Sequence, residues 1–335
     1  MREFKMVEGY ESGLSLRETQ KAIKFVKDTF QHEIKPALNL ERISAPLFVS
    51  KASGINDDLN GVERPVSFDI LETGEIAEVV HSLAKWKRMA LLKYGFPMHA
   101  GLYTDMNAIR RDEVCDNLHS IYVDQWDWEK IITAGDRTED YLKQTVKSIY
   151  SAVLDTAKKI EKVYPVLDCY LPQDITFVST YELEEKYPNL TPKQREYQAA
   201  KQYGAVFIMK IGGRLKNGEK HDGRAPDYDD WNLNGDIVLY NRVLDIPFEI
   251  SSMGIRVDRD SLLSQLKAEN KEERTKYEFH KMLISGALPL TIGGGIGQSR
   301  LSMFLLHKAH IGEVQVSIWP EKEVLKCKAN GINLL

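Results

Sequence analysis

The sequence predicts an α+β protein with a mainly antiparallel sheet flanked by helices, and three observations carry that expectation. Helix-like and strand-like runs are mixed without the regular βαβ alternation that a parallel sheet requires. Strand-like runs at residues 101–110 and 118–128 enclose a charged segment, the pattern of a hairpin. Pro46 falls in a further extended run, which belongs at an edge or a bulge because proline cannot donate to a ladder. With 335 residues, 43% of them apolar, and neither repeat nor linker, residues 16–335 are expected to form one domain behind an N-terminal arm of residues 1–15.

Taken in order, the arm is polar and poorly committed. Ser15 is an N-cap candidate with Glu18 completing a capping box, and Leu16, Ile23, Phe25, Val26, Phe30 and Ile34 recur at helical spacing until Pro36, before which the helix should end. Residues 40–49 read as one strand carrying Pro46. An acidic, turn-rich loop with Asp57 and Asp58 follows, then strands at 62–68 and 76–80 and a helix at 81–92 whose Lys85, Lys87 and Arg88 cannot share one face. After the hairpin comes a long amphipathic helix, 141–163, expected outside the sheet. Strands at 177–180 and 205–211 flank a helix at 191–203. Residues 212–231 form a long polar loop, of a length that is often functional. Strands at 237–240 and 248–252, a helix at 262–285, a glycine-rich element and an apolar segment at 314–320 complete the chain.

Composition narrows the partners. The formal charge is −4 and the 45 basic residues are scattered, so no electrostatic footprint for nucleic acid stands out. Cys115, Cys169 and Cys327 have no metal-ligand spacing and suggest a reducing compartment without a disulfide framework. No apolar run approaches a membrane span and the opening residues carry no apolar signal core, so a cytoplasmic protein is expected.

The most distinctive stretch is Thr291-Ile292-Gly293-Gly294-Gly295-Ile296-Gly297-Gln298-Ser299-Arg300. Its glycines allow close approach, and the helix N-terminus expected beyond them offers N–H groups to an anion, which fits a nucleotide. A strand-to-helix packing turn is the alternative. Neither a P-loop nor a dinucleotide fingerprint fits the spacing. Asp236 and Glu249 lie in or beside apolar strands, where a carboxylate needs a partner: Mg²⁺, or an ion pair with Arg256 or another base. Arg110 ends one hairpin strand and could fork onto a phosphate, and Glu113 in the tip could accept from an amine. On the return strand His119, Ile121, Val123, Gln125 and Asp127 share a face, while Trp126 and Trp128 turn to the core. His81 and His119 show no metal spacing, and no Ser-His-Asp arrangement is visible.

Together these stretches resemble the catalytic domain of class II aminoacyl-tRNA synthetases. The first helix with the Pro46 strand looks like their first motif, which builds a dimer interface. The hairpin around Arg110 and Glu113 looks like the second, and Gly293 to Arg300 like the third. Phe248-Glu249-Ile250-Ser251-Ser252-Met253-Gly254-Ile255-Arg256 is similar to the stretch that aspartate-type synthetases use for metal and amino acid, with serines in place of their glycines. More specifically, His81-Ser82-Leu83-Ala84-Lys85-Trp86-Lys87-Arg88, Tyr122-Val123-Asp124-Gln125-Trp126-Asp127-Trp128, Arg224-Ala225-Pro226-Asp227-Tyr228-Asp229-Asp230-Trp231 and the glycine-rich element are similar to the ammonia-dependent asparagine synthetases. Members of that family carry a longer connection where Trp231-Asn232-Leu233-Asn234-Gly235-Asp236 joins two of these stretches almost directly.

The resemblance implies a class II synthetase-like fold and synthesis of asparagine from L-aspartate, ATP and ammonia through a β-aspartyl-adenylate, with release of AMP and pyrophosphate. It implies Arg110 at the α-phosphate, Arg300 along the nucleotide and its terminal phosphates, and Asp236 with Glu249 on Mg²⁺. Lys87 and Arg256 become candidates for the substrate carboxylates. Asp57, Gln125 and Asp127 share the α-ammonium and the incoming ammonium in a division that stays open. Glu113, Asp229, Gly293, Gly294 and Gly295 fall on the nucleotide side and Ser252 on the substrate side. A homodimer without nucleic acid or membrane partners is implied as well. A tRNA synthetase would need room for an anticodon-binding domain, and a non-catalytic module would need no metal carboxylates. A glutamine-dependent route would need a thiol nucleophile, usually at the N-terminus, where Arg2 stands.

Overall fold

The computed structural model describes residues 4–57, 59 and 63–335. Helix α1 (Leu16–Leu38) begins as the sequence predicts: Ser15 accepts from the Glu18 N–H and Glu18 accepts from the Ser15 N–H. It runs past Pro36, which stands in the last turn, where proline forfeits one backbone hydrogen bond. Asn39, in the left-handed region at φ 57°, closes it. The expected strand at 40–49 is two: β1 (Leu40–Arg42) in the main sheet and β2 (Phe48–Ser50) in a small one, with Pro46 in the break. Strands β3 (Ser67–Asp69) and β4 (Ile76–Val79) complete the small sheet in the order β2-β4-β3. Asp58 and Val62, in the expected loop and strand, lie outside the described residues.

Helix α2 (Ala84–Lys93) starts three residues later than expected and leaves His81 outside it. The hairpin is present as β5 (Gly101–Ile109) and β6 (Tyr122–Ile131), with Tyr103 opposite Trp128 and Met106 opposite Gln125. Then come α3 (Glu139–Val163), β7 (Thr176–Ser179), α4 (Thr180–Lys186), α5 (Pro192–Tyr203) and β8 (Ala205–Met209). The short α4 was not anticipated, because its capping box at Ser179 and Glu182 overlaps the strand pattern. Strands β9 (Asp229–Asn241) and β10 (Ile246–Arg256) are much longer than their apolar cores suggest. Residues 231–236 are all β9, so the short connection noted in the sequence is uninterrupted strand. The expected helix at 262–285 divides into α6 (Arg259–Ala268) and α7 (Glu278–Ile284), separated by a 3₁₀ turn. After β11 (Thr291–Gly297) and α8 (Gln298–Leu305), residues 314–320 have no regular structure, and an unanticipated helix, α9 (Glu321–Ala329), follows.

The described strands form an eight-stranded sheet in the order β1-β5-β6-β11-β10-β9-β8-β7, parallel only at its two outer pairs. Helices α1 and α3 cover one face, where Phe30 packs on Trp126 with ring centroids 4.7 Å apart and Trp128 is fully buried. The opposite face carries α2 toward one end of the sheet and α4 and α5 toward the other. There Leu91 of α2 packs on Leu102 and Ile131, while Leu183 of α4 and Ala199 and Ala200 of α5 pack on Val206, Ile208 and Val238. A polar floor lies between. The arm is anchored, contrary to expectation: the Lys5 N–H donates to Asn117 Oδ1 at 2.7 Å, Tyr10 donates to Glu313, and the buried Lys308 ammonium donates to Ser12 Oγ at 2.6 Å.

Candidate active site

The floor follows from register. Asp127 on β6, Gly295 on β11, Ser252 on β10 and Asp236 on β9 are successive neighbours across four strands. A second row holds Glu129, Gly293, Gly254 and Asn234. Paired residues point to one face, so these rows put carboxylates, a hydroxyl and glycines on the open side. Two irregularities in β10 adjust the pattern. The bulge between Glu249 and Ser251 lets Glu249, opposite Val238, share the open face with Ser252 and Asp236. The second, between Gly254 and Arg256, brings Arg256 opposite Asp229.

The glycines make room for side chains. A Cβ on Gly293 would stand 1.9 Å from Glu129 Oε2 and 2.7 Å from the Arg256 guanidinium. One on Gly295 would stand 2.4 Å from Gln125 Oε1 and 2.9 Å from Asp127 Oδ1. Gly294 faces the other way, where a Cβ would meet Met253 at 2.5 Å, and its carbonyl accepts from Lys87 at 3.0 Å. Residues 293–295 are a central strand whose backbone pairs with β6 and β10. The helix N-terminus is also engaged, because the Ser299 N–H donates to Asp124 Oδ1 at 3.0 Å and Asp124 pairs with Lys27 of α1.

A buried ionic network fills the space. Arg256 donates to Glu129 through Nε at 3.0 Å and a terminal nitrogen at 2.8 Å, and its other terminal nitrogen reaches Asp229 Oδ1. Burial would raise the Glu129 carboxyl, but Arg256 and Lys87 outweigh it and hold the group below its usual value. Lys87 Nζ donates to Asp127 Oδ1 at 3.1 Å and to the carbonyls of Trp128 and Gly294, both at 3.0 Å; burial lowers its pKa. All three ammonium protons and most of the Arg256 fork are therefore engaged by the protein, whereas the sequence reading set both residues against substrate carboxylates. Lys85 and Arg88 are buried too: Lys85 pairs with Asp227 at 3.3 Å, and Arg88 donates to the Pro289 and Val257 carbonyls. Asp227 also meets Arg274 at 2.9 Å and His280 at 3.1 Å, which pins the segment before β9 to α2 and α7.

At the metal candidates, burial raises the Asp236 carboxyl to about 7; Arg224 opposes the rise and Glu249 adds to it. A like-charged carboxylate in the same field is a donor set that a hard cation would neutralise, so Asp236 and Glu249 fit Mg²⁺. Among the described residues no three His, Cys, Asp or Glu side chains gather as a complete metal cage. Arg300, in the first turn of α8, donates to the Glu249 carbonyl at 3.0 Å and to His119 Nε2 at 3.1 Å. An arginine only donates, so His119 accepts there and carries its proton on Nδ1, which donates to Asp116 Oδ1 at 2.8 Å.

Arg110 directly follows β5, its Nε buried without a hydrogen-bond partner among the described residues, and its carbonyl accepts from the Glu113 N–H. Its charge helps to lower the pKa of His81, which falls chiefly through burial. The His81 Nδ1–H donates to the Asp57 carbonyl at 3.0 Å. Asp57 is 4% exposed, accepts from the Leu59 N–H, and acts with Asp229 to raise the Tyr228 phenol, on which burial is the larger influence. Asp57, His81, Arg110 and Tyr228 are thus within one another's electrostatic reach beside the floor.

A family model described as aspartate-ammonia ligase matches residues 17–331. The protein belongs to the aspartate–ammonia ligase family. The aspartate–ammonia ligase of Ruminiclostridium cellulolyticum is 60% identical over 329 residues, 98% of each chain, and that of Fusobacterium nucleatum is 59% identical over 97% of this chain and 99% of its own. In fold, this ligase-family chain is similar to asparaginyl-tRNA synthetase of Pyrococcus horikoshii complexed with asparaginyl-adenylate, with a TM-score of 0.65 and 15% identity over 90% of this chain and 70% of that one. The asparaginyl-tRNA synthetase of Entamoeba histolytica gives a TM-score of 0.63 at 14% identity, over 90% of this chain and 66% of that chain.

Sequence reasoning missed Glu129 and Arg224, which stand on the floor itself in this ligase-family chain. Glu129 continues the Gln125–Asp127 alternation by one step and could have been found by extending it. Arg224 has no periodic signal, because it precedes β9 in a segment without regular structure.

Two outcomes follow from this geometry. Gly293→Ala is expected to split the Glu129–Arg256 pair and cost about 3–5 kcal/mol in chemical denaturation, the range for a broken buried pair. Because the Asp236 carboxyl is raised from 3.8 to about 7 on folding, its contribution to stability is fully present below 3.8 and is lost as pH rises through about 7. Asp236→Asn should flatten that decline in metal-free protein, and an unchanged pH profile of unfolding would show that the group does not titrate there.

Proposed function

We infer that the protein makes L-asparagine from L-aspartate, ATP and ammonia through a β-aspartyl-adenylate, releasing AMP and pyrophosphate. The observation that carries this reading is family membership over nearly the whole chain, in a fold whose open face carries an amphoteric floor. An amino acid with three charged groups needs such a surface: cations for its carboxylates and carboxylates for its ammonium.

Lys87 and Arg256 are the cations in the middle of the floor, and an incoming β-carboxylate can take the place of Asp127 or Asp229 on them. Asp57, Gln125 and Asp127 supply acceptors for the α-ammonium. A β-carboxylate oxygen attacks the α-phosphorus, a P–O bond forms, and the bond to pyrophosphate breaks. Arg110 would meet the charge gathering on the α-phosphate, and Arg300 would serve farther along the nucleotide. Gly293 and Gly295 leave a flat area for the base and ribose, bordered by Asp229 and Ser252, with Glu113 in the hairpin tip. Asp236 and Glu249 would hold Mg²⁺, which supplies neutralising charge for the phosphates. In the second half, ammonium loses a proton to a carboxylate of the Asp57–Asp127 group. The resulting ammonia attacks the β-carbonyl carbon, AMP leaves as the C–O bond breaks, and a second proton passes to solvent.

We also read the protein as a homodimer. Leu47, Phe48, Phe68 and Ile76, on and beside the small sheet, are each more than a third exposed, an apolar area that a second copy could cover. Among the described residues no helix is long and apolar enough to cross a membrane.

The decisive assay supplies ATP, Mg²⁺ and aspartate with ammonium, glutamine or tRNA. AMP and asparagine formed together with ammonium alone are expected, and a requirement for tRNA would overturn the reading. Arg110→Ala and Arg300→Ala should each slow pyrophosphate release by about 100-fold or more, as for a lost transition-state contact. Near-normal rates would remove them from the site. Light scattering at micromolar concentration should give twice the chain mass.

A further inference from the structure

Arg224 reaches across the floor from the segment ahead of β9. One terminal nitrogen donates to Asp236 Oδ1 at 2.7 Å, the other donates to Ser252 Oγ, and Nε faces Asp229 Oδ2 at 3.5 Å. The side chain is 7% exposed, and guanidinium remains charged at any pH the protein would meet. Asp236 is also one of the two carboxylates that would hold Mg²⁺, so a fixed monovalent cation already stands on a metal candidate.

Both cations cannot serve Asp236 fully. The carboxylate has two oxygens, but a divalent ion on the second would face the guanidinium across one carboxyl group. The field around Arg224 is otherwise acidic, with Asp222, Asp229, Asp236 and Glu249 nearby, so the residue has other anions to turn to. Its position also permits movement. Arg224 belongs to no helix or strand, and Asp222 and Gly223 just before it are exposed, so the side chain can swing without unpicking a regular element.

Resting on the reading of Asp236 and Glu249 as the Mg²⁺ carboxylates, we propose that Arg224 is an internal counter-ion. It occupies Asp236 in the nucleotide-free protein and yields that carboxylate when Mg²⁺ arrives with ATP. The consequence is ordered loading. Without nucleotide, Mg²⁺ must displace a tethered cation that already has its hydrogen bonds. With ATP, the triphosphate supplies further ligands to the metal and an anion for the released guanidinium. The metal is then taken up with its substrate and not ahead of it.

The test is direct Mg²⁺ titration by calorimetry, with and without a non-hydrolysable ATP analogue, on wild type, Arg224→Met and Arg224→Lys. Nucleotide-free Arg224→Met should bind Mg²⁺ at least about tenfold more tightly than wild type, within the usual span of coupling between two ligands. The gap should narrow with the analogue, and Arg224→Lys should fall between the two. Equal or weaker Mg²⁺ binding by Arg224→Met, with circular dichroism showing it folded, would overturn the proposal. If Arg224→Met does not fold, Arg224→Lys decides alone, with tighter nucleotide-free binding expected and unchanged or weaker binding fatal. Asp236→Asn and Glu249→Gln separate the two levels of inference. If neither weakens Mg²⁺ binding in the presence of the analogue, the metal assignment falls. If both weaken it while the arginine variants behave as wild type, only the counter-ion fails.

Discussion

A guanidinium buried in the middle of a sheet, clamped between Glu129 and Asp229, sets the terms for everything around it. An arginine so far from water is tolerated only when its charge is matched and its donors are used. Both conditions make geometric demands. Glu129 must rise from β6 without a Cβ opposing it from β11, hence Gly293. Asp229 must face β10 across an irregular step, which the register shift between Gly254 and Arg256 supplies. The pair therefore fixes the identity of neighbouring residues and the way three strands meet.

Charge balance on the floor has a second effect. Lys87, Arg256 and Arg224 stand among Asp127, Glu129, Asp229 and Asp236, three cations against four carboxylates, so the floor is already a lattice of paired ions. A zwitterion with an extra carboxylate can enter by exchanging partners. A neutral analogue of similar size would break pairs without replacing them, which costs free energy in a buried setting. Selectivity for a dicarboxylic amino acid is in this sense a property of the lattice as a whole and of no single contact.

Much of this was legible in the chain, for identifiable reasons. The hairpin, the capping box at Ser15 and the burial of Trp126 and Trp128 follow from local patterns that tertiary contacts only reinforce. Gln125 and Asp127 share a face because strands alternate. Other features are set by partners distant in sequence. Nothing local says that the glycine run is a strand, since its pairing with β6 and β10 involves residues far away in the chain. Nor does the α8 start reveal that Asp124 will cap it in place of an outside anion. Arg224 was invisible for the same reason: its partners Asp236 and Ser252 lie on two different strands.

The bulge between Glu249 and Ser251 reaches beyond the single carboxylate it turns. Upstream of it, β10 keeps one parity of inward and outward residues, and downstream it keeps the other. Phe248 and Ile250 therefore stay in the core while Glu249 and Ser252 both look outward. In a regular ladder of unchanged length Glu249 and Ser252, three residues apart, would fall on opposite faces of the sheet. Connections such as residues 212–228 can change in length without touching that phase relationship. Here the extra residue itself is what matters, because straightening the bulge at constant length would part the carboxylate from the hydroxyl.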